Sequence, residues 1–197
     1  MASPIKNPAT YADIEALPPH VVGELIDGDL IATRRGAFDY CTAASTLCWC
    51  LGAPMSKGRS AHHKDWIILP KLELRSSTQI LVPDISAWSI QVLSSNPEAT
   101  WQEGVPHWVC EFDGAKAGSS RVARKMEIYG ALGVSTFWLV NLGDELVQSF
   151  RNDKGVWHLV DEARGNTTFY SPPFENIPIE FGSIWSIDWH LNSQKAH

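Results

Sequence analysis

Two carboxylates and a lysine stand in this chain at positions that each predict burial. Asp84 follows Val82-Pro83, Glu111 follows Trp108-Val109-Cys110, and Lys125 lies among Val122, Met126, Ile128 and Tyr129. A buried charge is costly unless a cation or hydrogen bonds compensate it. Two such carboxylates on adjacent strands, with a lysine nearby, suggest a divalent-metal site for cutting phosphodiesters. Acidic oxygens hold Mg²⁺ or Mn²⁺. The metal lowers the pKa of a bound water and screens the phosphate. A lysine orients or deprotonates that water, or stabilises the developing negative charge.

The surrounding elements decide whether these residues meet. Residues 79–88 are apolar on both faces, which predicts one long central strand. Ile80, Val82, Asp84, Ser86 and Trp88 then share a face. In a strand over 106–113, Val109, Glu111 and Asp113 share one face, and Trp108, Cys110 and Phe112 the other. A helix over 117–132, at roughly 100° per residue, places Val122, Met126, Ile128, Tyr129 and Leu132 in one stripe, with Lys125 inside it and Arg121 at its edge. The helix follows the Glu111 strand directly, so its stripe should cover that strand and carry Lys125 to the carboxylates. A plainer reading stays open. Asp84 could satisfy a nearby backbone N–H, and Glu111 with Lys125 could form a buried ion pair without chemistry.

The rest of the chain reads as follows. Thr10 caps a short helix that Pro18-Pro19 stops. Strands 21–26 and 29–33 flank Asp27-Gly28, a type I′ hairpin signal. Residues 38–52 carry Tyr40, Ala43, Leu47 and Leu51 at helical spacing. A polar loop at 53–64 holds His62 and His63, which read as solvated. Short strands are expected at 65–69 and 72–75, a Trp-containing loop at 89–105, and a buried strand at 136–140. A hairpin follows over 145–151 and 156–161, then a short strand or two within 166–182 and a helical turn within 181–189. Ser119-Ser120 fit helix capping better than nucleophilic work, since no partner is placed to activate them. No G-x-G-x-x-G or Walker pattern occurs. The order of elements predicts a mixed α/β or α+β domain over 10–190, with a leader at 1–9 and a tail at 191–197.

A formal charge of −6 argues against a surface wholly given to nucleic acid, but not against a nuclease with one basic cleft. The nine tryptophans are spread out and read as core and interface residues, not as a base-stacking platform. The four cysteines form no C-x-x-C pair, so structural zinc is not expected. The sequence carries no signal-peptide pattern and no apolar run of membrane-spanning length, so a reduced, cytoplasmic protein without membrane contact is the simplest expectation.

Six runs in order carry a family likeness. They are E-L-I-D-G-D-L at 24–30, W-I-I-L-P at 66–70, V-P-D-I-S-A-W at 82–88, W-V-C-E at 108–111, K-M-E-I-Y-G-A-L-G-V at 125–134 and F-W-L-V at 137–140. From about residue 11 to about 185 the chain resembles the Uma-two family, restriction-endonuclease-like bacterial nucleases of the PD-(D/E)-x-K superfamily. The resemblance implies a central mixed sheet flanked by helices, with added hairpins and the site at one sheet edge. It implies Asp84 and Glu111 as Mg²⁺ or Mn²⁺ ligands, Lys125 as the lysine displaced onto the helix, and Glu24 as a supporting acid. Glu24 shares a strand face with Val22 and Ile26, so a cross-strand partner in the hairpin is the alternative. The chain departs from the family pattern at D-G-A-K-A, 113–117, where the family reads like L-S-P-S-T. Asp113 is an acid at a usually apolar place, and Arg121 stands where an aspartate is expected. Asp113 could add a ligand or pair with Arg121. Lys116, Arg121 and Arg124 would lie near the mouth and bind backbone phosphates. The expected function is a Mg²⁺- or Mn²⁺-dependent endonuclease hydrolysing DNA. The rival is a catalytically degenerate, dimeric nucleic-acid-binding or regulatory module. Family precedent also implies a homodimer.

Overall fold

The turn residues set both hairpins. The computed structural model describes residues 8–34, 36–56, 66–93, 101–114 and 120–185. Helix α1 (Tyr11–Glu15) leads into β1 (Val21–Ile26) and β2 (Asp29–Arg34). Between these strands Asp27 and Gly28 have φ of 54° and 81°, the left-handed pair of a type I′ turn. Thr10 starts α1 and donates from its N–H and its hydroxyl to the Asp13 carboxylate. Ala9, at the end of the predicted leader, donates its N–H to Gly28 O. Residues 1–7 of that leader, the tail at 191–197, and His62 and His63 lie outside the described residues.

Helix α2 (Phe38–Ser56) runs on through Pro54, past its expected end. Strands β3 (Trp66–Pro70), β4 (Glu73–Arg75), β5 (Ile80–Leu81), β6 (Ile85–Ser89), β7 (Trp101–Glu103) and β8 (Trp108–Asp113) follow. Helix α3 (Ser120–Leu132) links β8 to β9 (Thr136–Asn141), and these two strands pair in parallel. Then come β10 (Leu146–Asp153), β11 (Val156–Arg164), β12 (Thr168–Phe169), β13 (Ile179–Glu180) and the short helix α4 (Gly182–Trp185). Lys154 and Gly155 take φ of 52° and 89° between β10 and β11, a second turn of the same kind.

The strands form a larger sheet in the order β11-β10-β9-β8-β6-β3, a smaller one in the order β2-β1-β5-β4-β7, and a β12-β13 ribbon. The result is a mixed α+β fold of mixed sheets flanked by helices. Three expectations are corrected. The single strand over 79–88 is two strands in two sheets. Pro83 has no N–H to give a ladder, and the Val82 N–H goes instead to Glu24 Oε1 at 2.8 Å. The chain therefore leaves the smaller sheet after β5 and enters the larger one at β6. Nor is 89–105 all loop: β7 pairs in parallel with β4. Finally, β8 is an inner strand, so Glu111 rises from a sheet face and not from an edge.

Two cores follow from the alternation in β8. Trp108, Cys110 and Phe112 pack with Leu47 and Leu51 of α2 and with Trp138 and Phe174 on one face of the larger sheet. Val109 packs on the other face with Val122, Ile128 and Tyr129 of α3 and with Ile26, Leu74 and Leu81 of the smaller sheet. The candidate site lies within this second core. Among the described residues, no helix is long and apolar enough to cross a membrane.

Candidate active site

Side chains from β1, β8, α3, the break between β5 and β6 and the turn after β3 come together where the two sheets and α3 meet. Glu111 extends from β8 toward α3 and is fully buried. Lys125 sits on the buried stripe of α3, between Val122 and Ile128, and is equally buried. Its ammonium lies 2.6 Å from Glu111 Oε1 and 2.7 Å from Glu24 Oε1. It also donates to Val82 O at 3.2 Å. An ammonium has three donors, and these partners use all of them. One helical turn further on, Tyr129 donates its hydroxyl to Glu111 Oε1 at 2.7 Å. Glu111 Oε2 is buried with no hydrogen-bond partner among the described residues.

Asp84 sits in the break between β5 and β6. Its Oδ2 accepts the Phe112 N–H at 2.6 Å, which ties it to β8. Its Oδ1 forms an ion pair with Lys71. Glu24 in β1 holds the Val82 N–H and Lys125 through Oε1, and Arg121 Nη1 lies 3.2 Å from Oε2. Glu24, Asp84 and Glu111 thus meet Lys71, Arg121 and Lys125, so the cluster balances within itself.

The electrostatics follow from burial. Desolvation pushes the Glu111 carboxyl up to about 7, against the pull of Lys125 and with further push from Asp84 and Glu24. Desolvation works against the charge of Lys125, but Glu111, Glu24 and Asp84 outweigh it and hold its pKa above the usual lysine value. Arg121 is likewise held above its usual value by Glu111, Glu24 and Asp84, despite its burial. Burial and then Glu111 push the Tyr129 hydroxyl well up. Glu111 Oε2 has no hydrogen-bond partner among the described residues, and burial, with a further push from Asp84 and Glu24, destabilises the Glu111 carboxyl as an anion. Among the described residues no group of three or more His, Cys, Asp or Glu side chains is arranged to hold a metal ion. Mg²⁺ commonly takes one or two carboxylates, and water and phosphate complete its shell. The pair Asp84 and Glu111 suits that pattern.

The comparisons with known proteins come to the same fold. The sequence model of the Uma2 family, described as "Putative restriction endonuclease", matches residues 8–180. The chain belongs to the Uma2 family. A crystal structure described as a putative nuclease belonging to DUF820, from Anabaena variabilis, is similar with a TM-score of 0.71 and 16% identity, over 90% of this chain and 98% of that one. At that identity it establishes a shared fold. No curated protein matches the sequence.

In this Uma2 chain a cleft of about 650 Å³ opens beside the cluster, lined by Glu24, Asp84, Asp113, Arg121, Lys71 and Tyr40 among others. Glu111 and Lys125 do not line it, but Lys125 holds Glu24 and Val82, which do. Asp113 is buried at the cleft wall, and Arg121 spans from the wall to Glu24. Arg124 is not brought to the cleft. Its guanidinium holds Asp27 at 2.6 and 2.8 Å and Glu127 at 2.5 Å on the outside of α3. Lys116 lies outside the described residues, as does Ser119. The sequence reading passed over three side chains. Tyr129 reads in the sequence as a core residue of the helical stripe, although it stands one turn from Lys125. Tyr40 reads as equally apolar, yet its buried hydroxyl has no hydrogen bond of good geometry among the described residues, and burial and Asp84 suppress its acidity. Lys71 carried no signal, since it meets Asp84 only once β3 has paired with β6.

Proposed function

We infer that this protein is a metal-dependent endonuclease that hydrolyses DNA phosphodiester bonds. The observation that carries this reading is Glu111: fully buried, with one oxygen held by Lys125 and Tyr129 and the other without a hydrogen-bond partner among the described residues, beside Asp84. Asp84 and Glu111 would hold Mg²⁺ or Mn²⁺. That ion would supply an acidified water and a counter-charge for the scissile phosphate. The chain's own residues do the positioning. The Phe112 N–H fixes Asp84, and Tyr129 fixes Glu111. Lys125, protonated and with all three donors engaged, serves as a fixed positive charge behind Glu24 and not as a general base. Glu24 anchors Lys125 and Arg121. Arg121, on the cleft wall, meets a backbone phosphate.

Incubation of plasmid and of single-stranded DNA with the protein and Mn²⁺ tests this. Cleavage lost in Asp84→Asn and in Glu111→Gln supports it, and an inert parent protein with Mn²⁺ or Mg²⁺ overturns it. One observation favours a second reading: every carboxylate of the cluster already faces a protein cation. A degenerate member that binds nucleic acid without cutting would show DNA binding by fluorescence anisotropy and no cleavage with either metal. We also hold to a homodimer. The outer strand β11 of the larger sheet leaves Val156 and Leu159 exposed, which a second copy would cover. A monomer mass by light scattering ends that idea.

A further inference from the structure

Lys71 is placed by the backbone and yet is free to leave. It follows β3 at φ 55°, a left-handed conformation rare for a residue with a side chain. Its N–H donates to Asp84 O at 3.2 Å, so the main chain of the turn is fastened beside the carboxylate that its ammonium meets. The ammonium also lies 5.1 Å from the centre of the Tyr40 ring, within cation–π range. The three cations of the cluster differ in access to water. The Lys125 side chain is 0% exposed, that of Arg121 31% and that of Lys71 43%. Withdrawing Lys125 would strand a charge in the core, whereas Lys71 can swing its flexible stem into the cleft and be hydrated at once. The two oxygens of Asp84 are likewise unequal. Oδ2 is pinned by β8, and Oδ1 is held by Lys71.

We propose that Lys71 is a displaceable counter-cation: it neutralises Asp84 Oδ1 in the metal-free protein and gives that oxygen up to an incoming divalent ion. This rests on the metal reading above and adds to it that binding is an exchange of one cation for another. Lys71 thereby sets the metal concentration at which the site fills. The Tyr40 ring keeps the released ammonium close, so exchange in either direction needs only a side-chain swing.

Calorimetric titration of the full chain with MnCl₂, without DNA, tests the exchange. Lys71→Met should bind Mn²⁺ about tenfold more tightly than the parent, since the ion no longer competes with an ammonium. Lys71→Arg, which keeps the charge, should stay near the parent. Without metal, Lys71→Met should melt below the parent, and saturating Mn²⁺ should raise its melting temperature by more than it raises the parent's. A parent that binds Mn²⁺ while Lys71→Met binds equally or more weakly overturns the role of Lys71 and leaves the metal reading standing. Absence of binding in all three proteins overturns both. If the methionine variant fails to fold, the parent alone suffices. Carbon-13 NMR of reductively methylated lysines follows Lys71 directly, and its signal should move to a hydrated position as Mg²⁺ saturates the protein. A Lys71 signal unmoved at saturation overturns the proposal.

Discussion

On one face of the larger sheet, β8 offers Trp108, Cys110 and Phe112 to a bed of rings that includes Trp138 and Phe174. On the other face the same strand offers Val109 and Glu111, and the cover contributes a lysine and a tyrosine. The ring face gains by leaving water, about 1.5–3 kcal/mol for each large side chain fully buried. Edge-to-face contacts such as Trp108 with Phe174, at 5.1 Å and 82°, add to that. The charged face loses by leaving water, and its members offset the loss only by meeting one another. The ring face can therefore absorb a change of shape, whereas the charged face cannot absorb a change of charge. A strand that alternates between two such environments makes a rigid floor for a site. The apolar half holds β8 in place, and Glu111 is exact in position because β8 is.

The sharpest way to break the contrast is Lys125→Met. It keeps much of the side chain's volume and removes the one ammonium between Glu111 and Glu24. A loss of about 3–5 kcal/mol in a urea melt is expected, as for breaking any buried pair by removing one partner. Adding Glu111→Gln to that variant should return part of the loss, because one stranded carboxylate is then neutral. If Lys125→Met is as stable as the parent, the charged face is no more demanding than the ring face.

Next in size is a pH effect confined to the charged face. Glu111 has an ordinary value of 4.5 and is pushed to about 7 in the folded chain. Between these values the folded state holds more protons than the unfolded one, so stability falls as pH rises through that window. The fall is at most about 3 kcal/mol, at ~1.4 kcal/mol per pKa unit. Glu111→Gln should flatten the stability profile there. Two cysteines of the ring-face core do not titrate in this range, since burial pushes the Cys48 thiol up to about 11 and Cys110 well above its usual value. A variant profile that keeps the parent's slope would assign the titration elsewhere. On the ring face, Phe174→Leu should cost about 1–2 kcal/mol, a transfer loss with a small cavity.

What the sequence made legible was local. The Asp-Gly turn, the alternation in 106–113 and the stripe that holds Lys125 are short-range patterns, and each is present as read. The contact of Lys125 with Glu111 followed from them, because α3 directly follows β8. The larger failures were failures of partner choice. Residues 79–88 read as one strand because apolar residues lie on both of its faces, and nothing local says that Val82 gives its N–H to a carboxylate 58 residues away. The short strand at 101–103 was hidden for the same reason, since its partner β4 lies far back in the chain. Lys71 and Tyr40 were missed because their relation to Asp84 exists only after β6 has chosen its sheet.

The smallest expected effect sets the contrast on a single helix. Arg124 precedes Lys125 and looks out where Lys125 looks in. Arg124 makes a two-pronged contact with Asp27 in the hairpin turn and a further contact with Glu127, yet its side chain is 46% exposed. Water screens such pairs, so good geometry there yields little stability. Arg124→Ala should lower the melting temperature slightly at low ionic strength. The difference should vanish near 1 M salt, where screening acts over roughly 3 Å. The loss in Lys125→Met should survive the same salt, because ions do not reach its partners. If the Arg124→Ala deficit persists in high salt, the clamp between α3 and the first hairpin acts through packing of the guanidinium stem. The outer and inner faces of α3 would then differ less than their exposure suggests.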